Sequence, residues 1–538
     1  MRIPPIFYRL WIMMFCSRLG LLGAALAISG LGLSVTGQDW PQWGGANPGR
    51  NMYATAKGLP TRVDPGKPKP GSDGFDSTTA VNLRWTAKLG SQSYGNVTVA
   101  GGKVFIGTNN ESPRHNRYAG DRSLLLCFEE ATGNYLWQLT TPKLATGKAN
   151  DWEALGILSA AAIDDNRVYL VSSRCEVLCL TMDGLGRENV GPFKDEAQYM
   201  AGPGKPKVEP GPADADIVWQ YSMFDELGSL PHNAANCSVL VLGDLVYACT
   251  SNGQDWTHAN TPAPYVPSLI ALNKKTGALA GEDRELIGER LFHGQWSSPS
   301  AGKVGDRQLV FFGGGDGVLY AFDALPVEEN GHRYFRKVWW VDCNPPEYKM
   351  KDGQPIKYPA AEGPSEINAT PVFYNNRVYA SIGQDPENGD GVGRLICVDA
   401  TKTGDQAQGG IVWDYRAIHR CLSTVSIDPD TGLLFVADFA GFVHCLDAAT
   451  GKVYWVHDLK AHAWGSTMVA DGKVYVGDED GDLCILAASK EKKVLCEVNF
   501  GAPLYSTPVV ANGVLYISSQ THLFAFAEGA TPKTGAAK

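Results

Sequence analysis

The sequence predicts an all-β protein, a single eight-bladed β-propeller of four-stranded antiparallel blades whose ring is closed by an N-terminal strand. Three observations predict it. A strand, hairpin turn, strand pattern recurs along the chain. A second pattern, with a Thr-Gly turn and a Trp, follows it. One Trp-bearing strand precedes the first complete unit without a partner of its own.

The first pattern is plainest in "STPVVANGVLYISS" (506–519), which matches "STMVADGKVYVGD" (466–478), "VTVAGGKVFIGT" (97–108) and "TPVFYNNRVYASI" (370–382). Tips such as Asn512-Gly513, Asp471-Gly472 and Gly101-Gly102 are dipeptides of two-residue hairpin loops. The second pattern is "HCLDAATGKVYW" (444–455), repeated as "LCFEEATGNYLW" (126–137) and as "IALNKKTGALAG" (270–281) with Gly281 in the Trp place. Two strands from each pattern make one four-stranded blade.

The second-strand aromatic counts the blades: Phe105, Tyr169, Tyr247, Phe311, Tyr379, Phe435, Tyr475 and Tyr516. The last two intervals are 40 and 41 residues, the length of a bare blade, so the longer earlier ones carry insertions. The fourth-strand Trp is read at Trp137, Trp219, Trp340, Trp413 and Trp455, with Gly281 and Val494 as exceptions. The eighth unit ends after "HLFAF" (522–526) and lacks a fourth strand; "NLRWTAKL" (82–89), carrying Trp85, is expected to supply it and remove the open edge. A seven-bladed ring is the alternative count.

The chain thus divides into an export signal (1–37), an irregular segment (38–81), the propeller (82–526) and a polar tail (527–538). Arg2, Arg9 and Arg18 flank the apolar core "LGLLGAALAISGLGL" (19–33), and "SVTG" offers small residues for cleavage before Gln38. A retained membrane anchor is the other reading. The mature chain is expected to be periplasmic or extracellular, with no membrane span. In "QDWPQWGGANPGRN" two Trp lie among Gly and Pro, as in a segment packed on the propeller. A formal net charge of −10, without a Lys/Arg block in the mature region, argues against a nucleic-acid partner.

Twelve cysteines in an exported chain suggest disulfides, but the repeat argues otherwise for four. Cys127, Cys179, Cys397 and Cys445 share one third-strand position where other blades have Ala271, Ala321 and Ala525, so each is expected to be a buried, unpaired small hydrophobe. Cys343 and Cys421 remain as possible partners.

The repeat unit, in its "LDAATGKVYW" form, resembles that of the pyrroloquinoline-quinone (PQQ)-type propellers, a family with quinoprotein alcohol dehydrogenases and the BamB-type scaffold among its members. The resemblance covers about residues 82–526 and implies the fold. Its enzyme branch implies PQQ with calcium, held beside adjacent cysteines, yet the chain has no Cys-Cys and no Cys-x-x-Cys-His for haem. Its scaffold branch implies a lipoprotein, yet Cys16 follows "MMF" rather than a lipoprotein pattern.

A site is sought where first strands converge on the axis. Their leading column reads Tyr94, Leu158, Asn236, Trp296, Asn368, Leu422, Trp464 and Tyr505, and the next residue is always small, from Gly95 to Ser506. Just upstream, four connections carry His232, His293, His419 and His462. Loops between second and third strands, expected on the same face, hold Asp255, Asp385, Glu387, Asp390, Asp438, Asp478, Glu479 and Asp480. One reading is a ligand or cation site of His and carboxylate at the channel mouth, framed by Tyr94, Asn236, Trp296, Asn368, Trp464 and Tyr505; the other is solvent-facing polar loops and a plugged channel. The expected function is a non-catalytic binding or scaffold module for a protein, glycan or small ligand; a PQQ- or metal-dependent oxidoreductase is the alternative.

Overall fold

Residues 38–532, apart from 73, 187, 359, 361 and 387–391, are described by the computed structural model. The expected export signal, the last six residues of the tail, and Glu387 and Asp390 lie outside them.

Eight four-stranded antiparallel units form an eight-bladed propeller. Blade 1 comprises Thr98–Ala100, Lys103–Asn109, Arg122–Glu129 and Tyr135–Pro142. Blades 2 to 7 begin at Ala162, Leu240, Ser300, Val372, Ser426 and Met468. Blade 8 takes Val509–Ala511, Val514–Ser518 and His522–Phe526 from the end of the chain and Leu83–Lys88 from its beginning. Trp85 stands opposite Ala525 and Lys88 opposite His522, so the last sheet edge is paired as expected.

The Trp and the Thr-Gly turn of the repeat serve one contact. Third and fourth strands share a bulge that sets each Trp opposite the small residue: Trp137 faces Cys127, Trp219 Cys179, Trp413 Cys397 and Trp455 Cys445. Each indole then reaches the next blade and donates to a backbone carbonyl there. Trp85 donates to Glu130 at 2.9 Å, Trp137 to Met182 at 3.0 Å and Trp413 to Ala448 at 3.1 Å. The turn glycine lies under that ring. A Cβ on Gly133 would stand 2.6 Å from Trp85, and its φ of +74° already disfavours any other residue. Neighbouring blades are thereby stapled, and Trp85 does for blades 8 and 1 what Trp137 does for 1 and 2.

Two assignments need correction. In blade 4 the Trp place is held by Trp339, opposite Ala321 and fully buried, though its indole N–H finds no acceptor, whereas Trp340 lies on the other face under the Lys337 ammonium at 4.2 Å. Successive strand residues alternate faces, so only one of two adjacent Trp can turn inward. In blade 7 the Trp place is held by Cys496, opposite Ile485, and not by Val494. At Gly281 the space is filled from blade 4, whose Pro326 and Phe335 pack there; Phe335 lies 5.8 Å from Tyr247.

All eight second-strand aromatics are buried. The eleven cysteines among the described residues are free thiols, including Cys343 and Cys421, so the remaining possible pair is not bridged. Burial raises the thiols of Cys179, Cys397 and Cys445 to about 12, which makes them unreactive apolar fillers.

Residues 38–54 do more than pack on the ring. They run around its axis at the far end of the first strands and touch all eight blades. Gln38 accepts from Asn512 of blade 8, Trp40 pairs with Val99 of blade 1 and Pro41 accepts from Ile163 of blade 2. Pro48 accepts from Ala301 (blade 4) and Gly49 from Phe373 (blade 5), the Asn51 amide brackets Ile427 (blade 6), and Tyr53–Ala54 adds a parallel strand to blade 7. Blade 3 is reached by Arg50, a fully buried guanidinium that donates to the carbonyls of Val239, Pro299 and Trp43. This strap closes one end of the channel.

Candidate functional site

Between the strap and the open end, the inner strands build a floor. Backbone N–H groups of one blade donate to a hydroxyl or amide oxygen of the next: Ser238 to Ser298, Thr370 to Thr424, Thr424 to Ser466, Ser466 to Thr507 and Thr507 to Asn96. Trp43 rises from the strap, its indole N–H on the Thr370 hydroxyl at 3.1 Å. Above it opens a cavity of about 410 Å³ lined by the whole leading column, Tyr94, Leu158, Asn236, Trp296, Asn368, Leu422, Trp464 and Tyr505. The volume falls in the range of small-molecule sites.

The six residues expected to frame the mouth are half-buried. Tyr94 and Tyr505 stack at 4.5 Å and 8°, with Trp464 edge-on to both at 6.1 and 5.6 Å. The Trp464 indole is fixed by Glu479 at 3.0 Å. These rings pack together without filling the channel. On the opposite side Asn236 and Asn368 each present an amide oxygen with no protein partner. Both oxygens are themselves buried, and a buried acceptor without a donor is costly.

Behind Asn368 sits Glu366, fully buried, accepting from the Asp385 N–H at 2.9 Å. Burial, reinforced by the Asp385 charge, pushes its carboxyl up to about 8, so it is a neutral acid at pH 7. Asp385 is the only carboxylate among the described residues lining the cavity, and none of them is a Lys or Arg.

The four expected histidines part company. His232 and His293 are buried against Trp296, at 6.2 and 5.1 Å between rings. His462 is exposed and stacks on Phe439, whose ring meets Trp464. None of the four is among the residues lining the cavity, and His419 stands on a loop contact of its own. Its Nδ1 lies 2.9 Å from Asp438, which also accepts from His444 Nε2 at 3.0 Å. Burial would raise the Asp438 carboxyl, but the bonds from His444, the Phe442 N–H and His419 outweigh it and hold it below the usual range. With its acceptors filled, Asp438 anchors a loop. Asp478 likewise caps its own Asp-Gly turn, accepting from the Asp482 N–H at 2.9 Å.

Two features went unread in the sequence. His258, in the blade 3 loop "QDWTHAN", closes on His232 and His293. Its neighbour Trp256, half-exposed, stacks on Trp152 at 5.6 Å and 19°, an aromatic platform at the rim.

The ring of repeats and this axial cavity define an eight-bladed propeller, and the comparisons find PQQ-repeat propellers similar to it. The sequence profile of the family described as "Outer membrane protein assembly factor BamB" matches residues 402–495 and 440–533. That match spans the last blades of the ring and makes the chain similar to the PQQ-repeat propellers. Among solved structures it is similar to a europium-containing methanol dehydrogenase, at 11% identity over 91% of this chain and 98% of that one, with a TM-score of 0.55. The quinohemoprotein alcohol dehydrogenase of Comamonas testosteroni matches at 13% identity over 92% and 82%, also at 0.55. BamB from Moraxella catarrhalis matches at 14% over 83% and 97%, at 0.49. No curated protein matches the chain.

The enzyme branch implies PQQ with calcium, and the residues present do not fit that group. PQQ is a tricarboxylate and needs cationic partners, yet the described lining has none. Calcium needs several hard, mostly anionic oxygens, and Asp385 is the one carboxylate among the described residues lining the cavity.

Proposed function

We propose that the chain is an exported, non-catalytic binding module that takes a neutral ring-shaped ligand, such as a sugar ring of a glycan, in the axial cavity. One observation carries this reading: the aromatic side chains of Tyr94, Tyr505, Trp464 and Trp296 surround a cavity whose opposite wall holds the Asn236 and Asn368 side chains. Rings stack on the aromatics while the amide side chains fix the ligand's orientation. A lining without cations and with one carboxylate favours an uncharged ligand over an acidic one. Export rests on the signal-like residues 1–37, and cleavage before Gln38 is expected in the secreted chain.

The test is calorimetric titration of the full mature chain with neutral oligosaccharides, with PQQ plus calcium as a contrasting ligand. Binding of a saccharide with tryptophan fluorescence change is expected, weakened roughly tenfold by Asn236→Ala or Asn368→Ala, the value of one good hydrogen bond. Tight PQQ binding, or saccharide binding indifferent to both variants, would overturn the reading.

A further inference from the structure

We propose that His232, His258 and His293 form a binding site for one borderline-soft divalent metal ion, zinc(II) or its like, at the edge of the axial cavity. Three separate segments bring them together: His232 from the connection into blade 3, His293 from the connection into blade 4, and His258 from the loop between the second and third strands of blade 3. Their ring centroids lie 4.1, 4.7 and 5.0 Å apart. One ligand nitrogen from each falls within 4.8 Å of the others.

The geometry distinguishes this trio from a chance cluster. His232 Nδ1 is 2.7 Å from the Gln254 carbonyl, which places its proton on Nδ1 and leaves a bare lone pair on Nε2. That Nε2 faces the Nε2 of His258 at 3.3 Å. Two nitrogens bound tetrahedrally to zinc at about 2.05 Å stand about 3.3–3.4 Å apart, so this pair is already at ligand spacing. A carbonyl holding the far nitrogen of a ligating imidazole is the usual support of such a site.

The surroundings are pre-built as well. Gln254 also donates its N–H to the His293 carbonyl at 2.8 Å and its side chain to Leu291, tying two of the segments together. The His258 loop is locked by Asp255, which accepts from Thr257 N–H and Asn260 Nδ2 at 3.0 and 3.1 Å. Three neutral imidazoles select zinc, copper or nickel over calcium or magnesium, and leave a coordination position for water or a ligand. This site stands independently of what the axial cavity binds.

The experiment uses the full mature chain, stripped by chelator and titrated with zinc(II) and cobalt(II). Trp296 donates to the His232 carbonyl at 3.3 Å and reports on the site. One ion per chain is expected at micromolar concentration or tighter, with quenching of tryptophan fluorescence by cobalt(II), a tetrahedral-type visible spectrum and a raised Tm with zinc. His258→Gln, in an exterior loop, should weaken binding at least ~100-fold and abolish the Tm rise. His232→Ala should do the same, and if that variant fails to fold, His258→Gln alone decides. The group His457, Cys484 and Glu497 is the competing location. Binding lost in Cys484→Ser with a thiolate-to-cobalt band, binding unchanged in His258→Gln, or no stoichiometric binding at all overturns the assignment.

Discussion

Gly133 and Gly102 form a matched pair on which the stapling of blades can be tested. Both lie in turns of blade 1, with φ of +74° and +75°. They differ in what a methyl group would meet: nothing within 4 Å at Gly102, but Trp85 ring carbons at 2.6 Å at Gly133. Gly102→Ala therefore carries only the left-handed backbone strain, about 1–2 kcal/mol, partly offset by lower chain entropy in the unfolded state. Gly133→Ala adds overpacking of about 1–3 kcal/mol. It also pushes Trp85 off the Glu130 carbonyl, now at 2.9 Å, for about 1 kcal/mol more. The expected gap between the variants is about 2–4 kcal/mol. Urea midpoints at unchanged slope measure it, and hydrogen exchange should show Leu83–Lys88 and His522–Phe526 loosening only in Gly133→Ala. Losses within about 0.5 kcal/mol of each other would refute the staple, because backbone strain alone would then account for both.

Glu366→Gln should change the pH dependence of stability. The native carboxyl titrates near 8 against an ordinary 4.5, so the native state holds the extra proton in between. Wild-type stability is thus full below about 4.5 and lost as pH rises toward 8, by an amount on the order of 3–5 kcal/mol relative to a group that does not ionise. Unfolding at pH 5 and pH 8 should show the Gln variant gaining on wild type with rising pH, and a flat difference would show that Glu366 is ionised in the fold. Arg50→Met should cost at least about 3 kcal/mol, since the carbonyls of Val239, Pro299 and Trp43 lose their donor in a dry interior; a Tm unchanged from wild type would mean the strap is dispensable. Alanine at Cys127, Cys179, Cys397 or Cys445 should cost about 1 kcal/mol or less because other blades carry Ala at that position, and a loss of 3 kcal/mol at any one would break the equivalence.

What could be read in the sequence was what repeats locally. The second-strand aromatics, the Cys/Ala position and the unpaired strand with Trp85 recur at fixed offsets from hairpin tips, and the pleat turns those offsets into faces. The error at Trp340 arises where two Trp stand side by side and only the strand pairing decides which one faces Ala321, and that at Val494 arises where Cys496 takes the Trp place and leaves no residue-type mark. The path of residues 38–54 could not be read at all. Its contacts join residues far apart in the chain, 376 positions for Asn51 with Ile427 and 473 for Asp39 with Asn512, and one copy of a segment has no period to betray it.

The candidate site divides along the same line. The leading column converges because every inner strand starts at the same depth, so eight repeat positions surround one cavity. His232 and His293 belong to connections that follow this symmetry, whereas His258 belongs to an insertion of one blade and adopts a left-handed φ of 52°. Symmetry predicts a ring of equivalent positions; it cannot predict where one blade breaks it. Yet a bound ligand or metal has no eightfold symmetry, so the chemistry must lie where the repeat is broken. Around this axis the breaks cluster at blades 3 to 5: three imidazoles, two amides with unpaired oxygens and one buried neutral carboxyl. Blades 6 and 7, short and regular, place their histidines on Asp438 and Phe439, where they support loops.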